Sequence, residues 1–103
     1  MRRVALEEAF WVEGLSTKGS FTDEGSNAIR SEVLAGIRER IADYTETRLP
    51  DMDRYGIDVQ VLSLTAPGLQ VQPDPHLATN DAVLANDHFA SVIKTHPDRF
   101  AGF

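Results

Sequence analysis

Val4-Ala5-Leu6-Glu7-Glu8-Ala9-Phe10 sets two acids towards the end of a short apolar run that begins three residues into the chain. A first strand that delivers a carboxylate at its C-terminal end suits a metal-dependent barrel enzyme, because (β/α) barrels keep their chemistry at that end. Strand alternation predicts that Ala5, Glu7 and Ala9 share one face and Val4, Leu6 and Glu8 the other. The first set is small residues plus one acid, which fits a crowded barrel interior. The second offers branched apolar groups to a covering helix. On this reading Glu7 is the candidate metal ligand, and Glu8 sits at the rim or pairs with a base. The competing reading of Glu7 is a solvated loop acid, since charges are seldom buried unless paired or coordinated.

Working outward, residues 13–27 are rich in Gly, Ser, Thr and acids and read as a long loop. From Ala28 the pattern turns helical, with Ile29, Val33, Leu34, Ile37 and Ile41 at three- and four-residue spacings. A second helix is predicted over Arg48 to Tyr55, with Pro50 in its first turn and Gly56 ending it. The β-branched run from Ile57 to Leu64 reads as a second strand, closed by the turn signal Thr65-Ala66-Pro67-Gly68. Asp74-Pro75 has the form of an N-cap and a first-turn proline. The helix behind it carries Ala78, Ala82, Ala85, Phe89, Val92 and Ile93 on one stripe, and Pro97 stops it. Residues 99–103 begin a third strand.

This alternation predicts a parallel α/β sheet with right-handed crossovers. Three such strands cover one arc of a barrel and leave two edges open, so the expected object is the first part of a larger domain.

The 103 residues are 42% hydrophobic and 25% charged, as in a soluble globular chain. Sixteen acids against ten bases give a net charge of −6, which argues against a nucleic-acid partner because phosphate binding needs a basic footprint. The absence of cysteine excludes disulfides, thiolate metal sites and cysteine nucleophiles. Met1-Arg2-Arg3 imitates the start of a signal peptide, but Glu7 and Glu8 interrupt the apolar run that would follow. No stretch approaches the roughly 20 apolar residues of a membrane span, and a cytoplasmic protein without membrane partners is expected. His76, His88 and His96 lack the spacing of metal ligands, and no catalytic triad order or phosphate loop is present. Phe10, Trp11 and Phe21 are read as core packing in preference to a stacking cap over an aromatic ligand.

Taken together, the stretches Val4 to Phe10, Arg48-Leu49, Gly56-Ile57, Leu62 to Gln70, Ala85-Asn86-Asp87 and His96 to Phe103 resemble the N-terminal third of a known family. This is the amidohydrolase-related, cofactor-independent aromatic acid decarboxylases, and the branch most resembled acts on 2,3-dihydroxybenzoate. The resemblance implies the first arc of a TIM-type (β/α)8 barrel, with residues 1–103 as an incomplete domain. It implies Glu7 as a metal ligand and Thr65, Ala66 and Pro67 as walls of the substrate pocket. Many relatives have His where this chain has Ala9. The departure resembles the dihydroxybenzoate branch and opens the site to Mg²⁺ or Mn²⁺ beside Zn²⁺.

The activity so implied is non-oxidative loss of CO₂ from an o-hydroxybenzoate, with a divalent metal and no organic cofactor, in a homo-oligomer at full length. The remaining ligands and the proton donor would lie on later strands, so these 103 residues alone are expected to be inactive. Two alternatives stand beside this: a metal-dependent hydrolase of the same superfamily, and a non-catalytic, oligomerising remnant.

Overall fold

The computed structural model describes residues 1–16, 31–66 and 68–103. The elements in chain order are β1 (Val4–Phe10), α1 (Ser31–Ala42), α2 (Arg48–Tyr55), β2 (Val59–Leu64), α3 (Pro75–Thr95) and β3 (Phe100–Gly102). The three strands form one sheet in the order β1-β2-β3, and both pairings are parallel. That is the α/β arrangement the sequence predicts. The proposed start of the first helix at residues 28–30, Phe21, and most of the 13–27 loop lie outside the described residues.

Local chemistry accounts for most of the element boundaries. Gly56 ends α2 in the left-handed conformation, at φ 67°, where a side chain is strained. Asp74 caps α3 by accepting from the backbone N–H groups of His76 and Leu77 at 2.8 and 3.1 Å. Pro75 occupies the first helical turn, where its missing N–H is not needed. The second strand begins at Val59, two residues later than predicted. The N–H of Ile57 is drawn back to the Met52 carbonyl at the end of α2, and those of Asp58 and Val59 both reach the Arg3 carbonyl.

One face of the sheet carries the core. Phe10, Leu62 and Phe100 pack there against Tyr44, Met52 and Phe89, with Leu49, Ile57, Leu64, Val92 and Ile93 around them. Leu62 and Met52 are essentially inaccessible to water. Phe10 stacks on Phe89 with ring centroids 4.7 Å apart, so it is a core residue, as expected. On α3 the predicted stripe holds: Ala85 and Phe89 are buried, and Ala78, Ala82, Val92 and Ile93 are half-buried. Asp81, which the stripe did not include, is buried beside them.

The strict alternation expected of β1 does not hold. Ala5 pairs with Gln60 and Glu8 with Leu62, so β1 advances three residues while β2 advances two. The extra residue forms a β-bulge, and Glu7 within it takes a positive φ of 61°. Paired residues of parallel strands point to the same side, and Gln60 and Leu62 share a side. Ala5 and Glu8 therefore fall on one face, and Ala9, paired with Ser63, falls on the other. Ala5 and Ala9 do not share a face. Nor do Val4 and Leu6 meet a covering helix, being 49% and 69% exposed. The inserted residue reverses the phase of everything after it, which is why Ala9 leaves the face of Ala5.

Candidate functional site

In parallel α/β structures the C-terminal ends of the strands collect the loops that carry chemistry. Thr65 and Ala66 belong to that end, whereas Glu7, expected there from the sequence, is the central residue of the seven in β1. Glu7 is exposed and lies three residues before the end of β1. Thr65 follows the last residue of β2, is half-buried, and donates its backbone N–H to the Phe10 carbonyl at 2.9 Å. That bond ties the substrate-loop candidate directly to the metal-strand candidate. Ala66 is exposed, and Gly68 beyond it is buried at φ 57°. Pro67, the third predicted wall residue, lies outside the described residues.

The left-handed conformation of Glu7 is costly for a residue with a side chain, by roughly 1–2 kcal/mol. Such strain persists only where the surroundings over-determine it, and it gathers at functional sites. Here the flanks are firmly held. Val4 and Ala5 pair with Val59 and Gln60 before the bulge, and Ala9 and Phe10 pair with Ser63 and Leu64 after it.

Glu8 lines a cavity of about 240 Å³ with Ala9, Arg40, Ile41, Thr47, Arg48, Asp51 and Gln60. Arg48 is a base on the same cavity; burial lowers its pKa, and the charges of nearby groups, Glu8 and Asp43 among them, partly offset this. Arg48 donates from Nη2 to the Ala9 carbonyl at 2.7 Å, from Nη1 to Gln60 Oε1 at 3.1 Å and from Nε to the Asp43 carbonyl at 3.0 Å. Arg40 and Asp51 form an ion pair at 2.5 Å on the outer side of the same cavity.

A second polar cluster joins the two loops. Asp81 accepts from the Ser16 backbone N–H at 2.8 Å and from its hydroxyl at 2.6 Å, and Gln72 Nε2 donates to that hydroxyl at 2.6 Å. The segment after β1 and the segment after β2 are thus latched to α3 through one buried carboxylate. Asp81 was missed in the sequence because it interrupts an apolar stripe. The signal available was an acid at a stripe position, where burial is tolerated only with partners.

The histidines behave as structural residues. His76 is exposed on the first turn of α3. His96 caps the end of that helix and meets Phe100 edge-on at 5.9 Å. The His88 ring lies 5.7 Å from Tyr44, and its Nε2 has no hydrogen-bond partner among the described residues. The described residues contain no group of three or more His, Cys, Asp or Glu side chains able to hold a metal ion. None of the described helices is long and apolar enough to cross a membrane.

No family model matches the chain. Sequence comparison finds γ-resorcylate decarboxylase of Rhizobium sp., 36% identical over 102 residues, covering 98% of this chain and 29% of that protein. A 2,6-dihydroxybenzoate decarboxylase bound to 2,6-dihydroxybenzoate superposes with a TM-score of 0.84 at 33% identity, over 99% of this chain and 30% of that one. The chain is homologous to hydroxybenzoate decarboxylases. Its sheet and helices match the N-terminal part of their TIM-barrel fold. The dihydroxybenzoate decarboxylase from Polaromonas sp. JS666, solved with manganese and the inhibitor 2-nitroresorcinol, superposes with a TM-score of 0.82 at 31% identity, over 99% of this chain and 29% of that one. This chain therefore spans about three-tenths of the length of the decarboxylases it matches.

Proposed function

We propose that this chain supplies the metal-strand and substrate-loop portion of a divalent-metal-dependent, non-oxidative decarboxylase of hydroxybenzoates. The carrying observation is Glu7, a carboxylate held in a bulge midway along β1, in a chain homologous to decarboxylases solved with manganese. Glu7 fits as one hard oxygen donor. The further donors that a metal site needs would come from outside the described residues, which hold no cluster of their own. With Ala9 in place of an imidazole on this strand, Mn²⁺ or Mg²⁺ is favoured over Zn²⁺. When bound, such an ion supplies Lewis-acid stabilisation of developing negative charge.

The chain's own residues bind and orient. Glu7 presents a carboxylate, while Thr65 and Ala66 wall the space where an aromatic acid would lie. In the reaction a proton is delivered to the ring carbon bearing the carboxylate, a C–H bond forms, and the C–C bond breaks to release CO₂. The substrate proposed first is 2,3-dihydroxybenzoate, with 2,6-dihydroxybenzoate as the competitor suggested by the relatives.

The test is product analysis on the full-length protein with Mn²⁺. Catechol from 2,3-dihydroxybenzoate, lost in Glu7→Gln, supports the proposal. Resorcinol from 2,6-dihydroxybenzoate instead would move the substrate but keep the reaction class. Turnover of both acids unchanged by Glu7→Gln would remove Glu7 from the site.

A further inference from the structure

We propose that Arg48 is a positioning residue that holds the half of β1 beyond the bulge, and through it the Glu7 carboxylate, in place for a divalent ion. This inference rests on the reading of Glu7 as a metal ligand and deepens it.

A non-glycine residue at φ 61° relaxes unless the chain on both sides of it is fixed. Before the bulge, ladder pairing to β2 does this. After it, pairing of Ala9 and Phe10 with β2 is joined by a bond from Arg48 Nη2 to the Ala9 carbonyl, two residues beyond Glu7, at 2.7 Å. The guanidinium is in turn held in plane by Gln60 Oε1 and the Asp43 carbonyl. One rigid fork thereby joins the end of β1, a buried side chain on β2 and the turn before α2. Glu8, the residue between Glu7 and Ala9, borders the same cavity and contributes negative charge opposite the guanidinium.

A lysine could satisfy one of these acceptors but not three in fixed directions. Trp11 adds a tether by donating its backbone N–H to the Ile41 carbonyl at 3.0 Å. Loss of the fork should therefore loosen the strand end without releasing it.

Arg48 acts at one remove from the ion, as do outer groups that orient metal ligands, whose loss typically weakens metal affinity about 10- to 100-fold. The experiment is a Mn²⁺ titration of the full-length protein, reading free Mn²⁺ by electron paramagnetic resonance, with thermal unfolding recorded in parallel. Arg48→Lys keeps the charge and the stem, and is expected to weaken Mn²⁺ binding by about 10-fold or more at temperatures where the protein is fully folded. Gln60→Met, which removes one partner that fixes the guanidinium, is expected to weaken it less and in the same direction.

A merely structural role would lower the unfolding temperature and leave the Mn²⁺ dissociation constant unchanged; that result in either folded variant overturns the proposal. Glu7→Gln separates the two layers of the argument. If it leaves Mn²⁺ binding intact, the metal reading fails and the positioning role fails with it. If it weakens binding while Arg48→Lys does not, only the positioning role fails.

Discussion

The ring of Phe89 fills the space that a side chain on Gly102 would need. An ideal Cβ at Gly102 would lie 1.9 Å from Cε1 and 2.3 Å from Cζ of that ring, and 2.8 Å from the Leu62 carbonyl oxygen. The ring cannot easily retreat, because its other neighbour is Phe10, stacked 4.7 Å away. The short third strand therefore docks on α3 through an absent side chain. Gly102→Ala should destabilise the protein by about 1–3 kcal/mol or more, as overpacking of a filled core does. A denaturant midpoint unchanged from that of the parent would show that the ring has room to move. Phe89→Leu in the same background should recover part of the loss, as coupled neighbours do.

Asp43 anchors the entry to α2. Its Oδ2 accepts from the Thr47 N–H and hydroxyl at 2.8 and 2.7 Å and from the Arg48 N–H at 3.0 Å, while Oδ1 accepts from the Glu46 N–H at 3.1 Å. Partial burial pushes this carboxyl up, but the Thr47 hydroxyl and the three backbone donors outweigh it and hold the pKa at about 2. Replacement by Ala should cost about 0.5–2 kcal/mol, the range for loss of a helix-capping side chain. The sign of the pH dependence follows from the depressed value. The unfolded carboxyl titrates near 3.9, so its extra stabilisation is complete above that pH and is lost as pH falls towards about 2. The stability gap between the parent and Asp43→Asn should therefore shrink between neutral pH and about pH 2.5. A gap of constant size would show that the charge is not its source.

The bulge makes an unusual demand at Glu7. In a regular strand glycine is the weaker residue, but at a positive φ alanine retains the clash that glycine lacks. Glu7→Gly should therefore be more stable than Glu7→Ala by about 1 kcal/mol. Chemical unfolding of the two variants under metal-free conditions measures this without reference to activity. The opposite order would mean that the strand end relaxes to a regular conformation once the acid is gone.

Much of this architecture was readable along the chain because local rules dictate it. The second helix runs from Arg48 to Tyr55 as predicted, since first-turn proline and left-handed glycine act within a few residues of where they stand. The third helix follows from Asp74 and Pro75 and ends just before Pro97 for the same reason. The candidate site was legible only in part. Glu7 stands out in the sequence as an acid in a short apolar run, but it lies at the middle of β1 and the bulge breaks the alternation around it. Nor did periodicity single out Asp81, because its burial depends on Ser16, 65 residues away in the chain.

The sequence by itself determined the order of helices and strands, the bounds of α2 and the cap of α3, which face of α3 is apolar, and that the strands run parallel. These are consequences of propensity, capping and period, all acting over a few residues. Only the tertiary structure decided the phase of β1, because the extra residue at Glu7 exists only relative to the register of β2. It also decided that Arg48 grips Ala9 across 39 positions and that Phe89 fits over Gly102. Hydrogen bonds and close packing between distant segments depend on where those segments meet in space, and no short-range pattern encodes that.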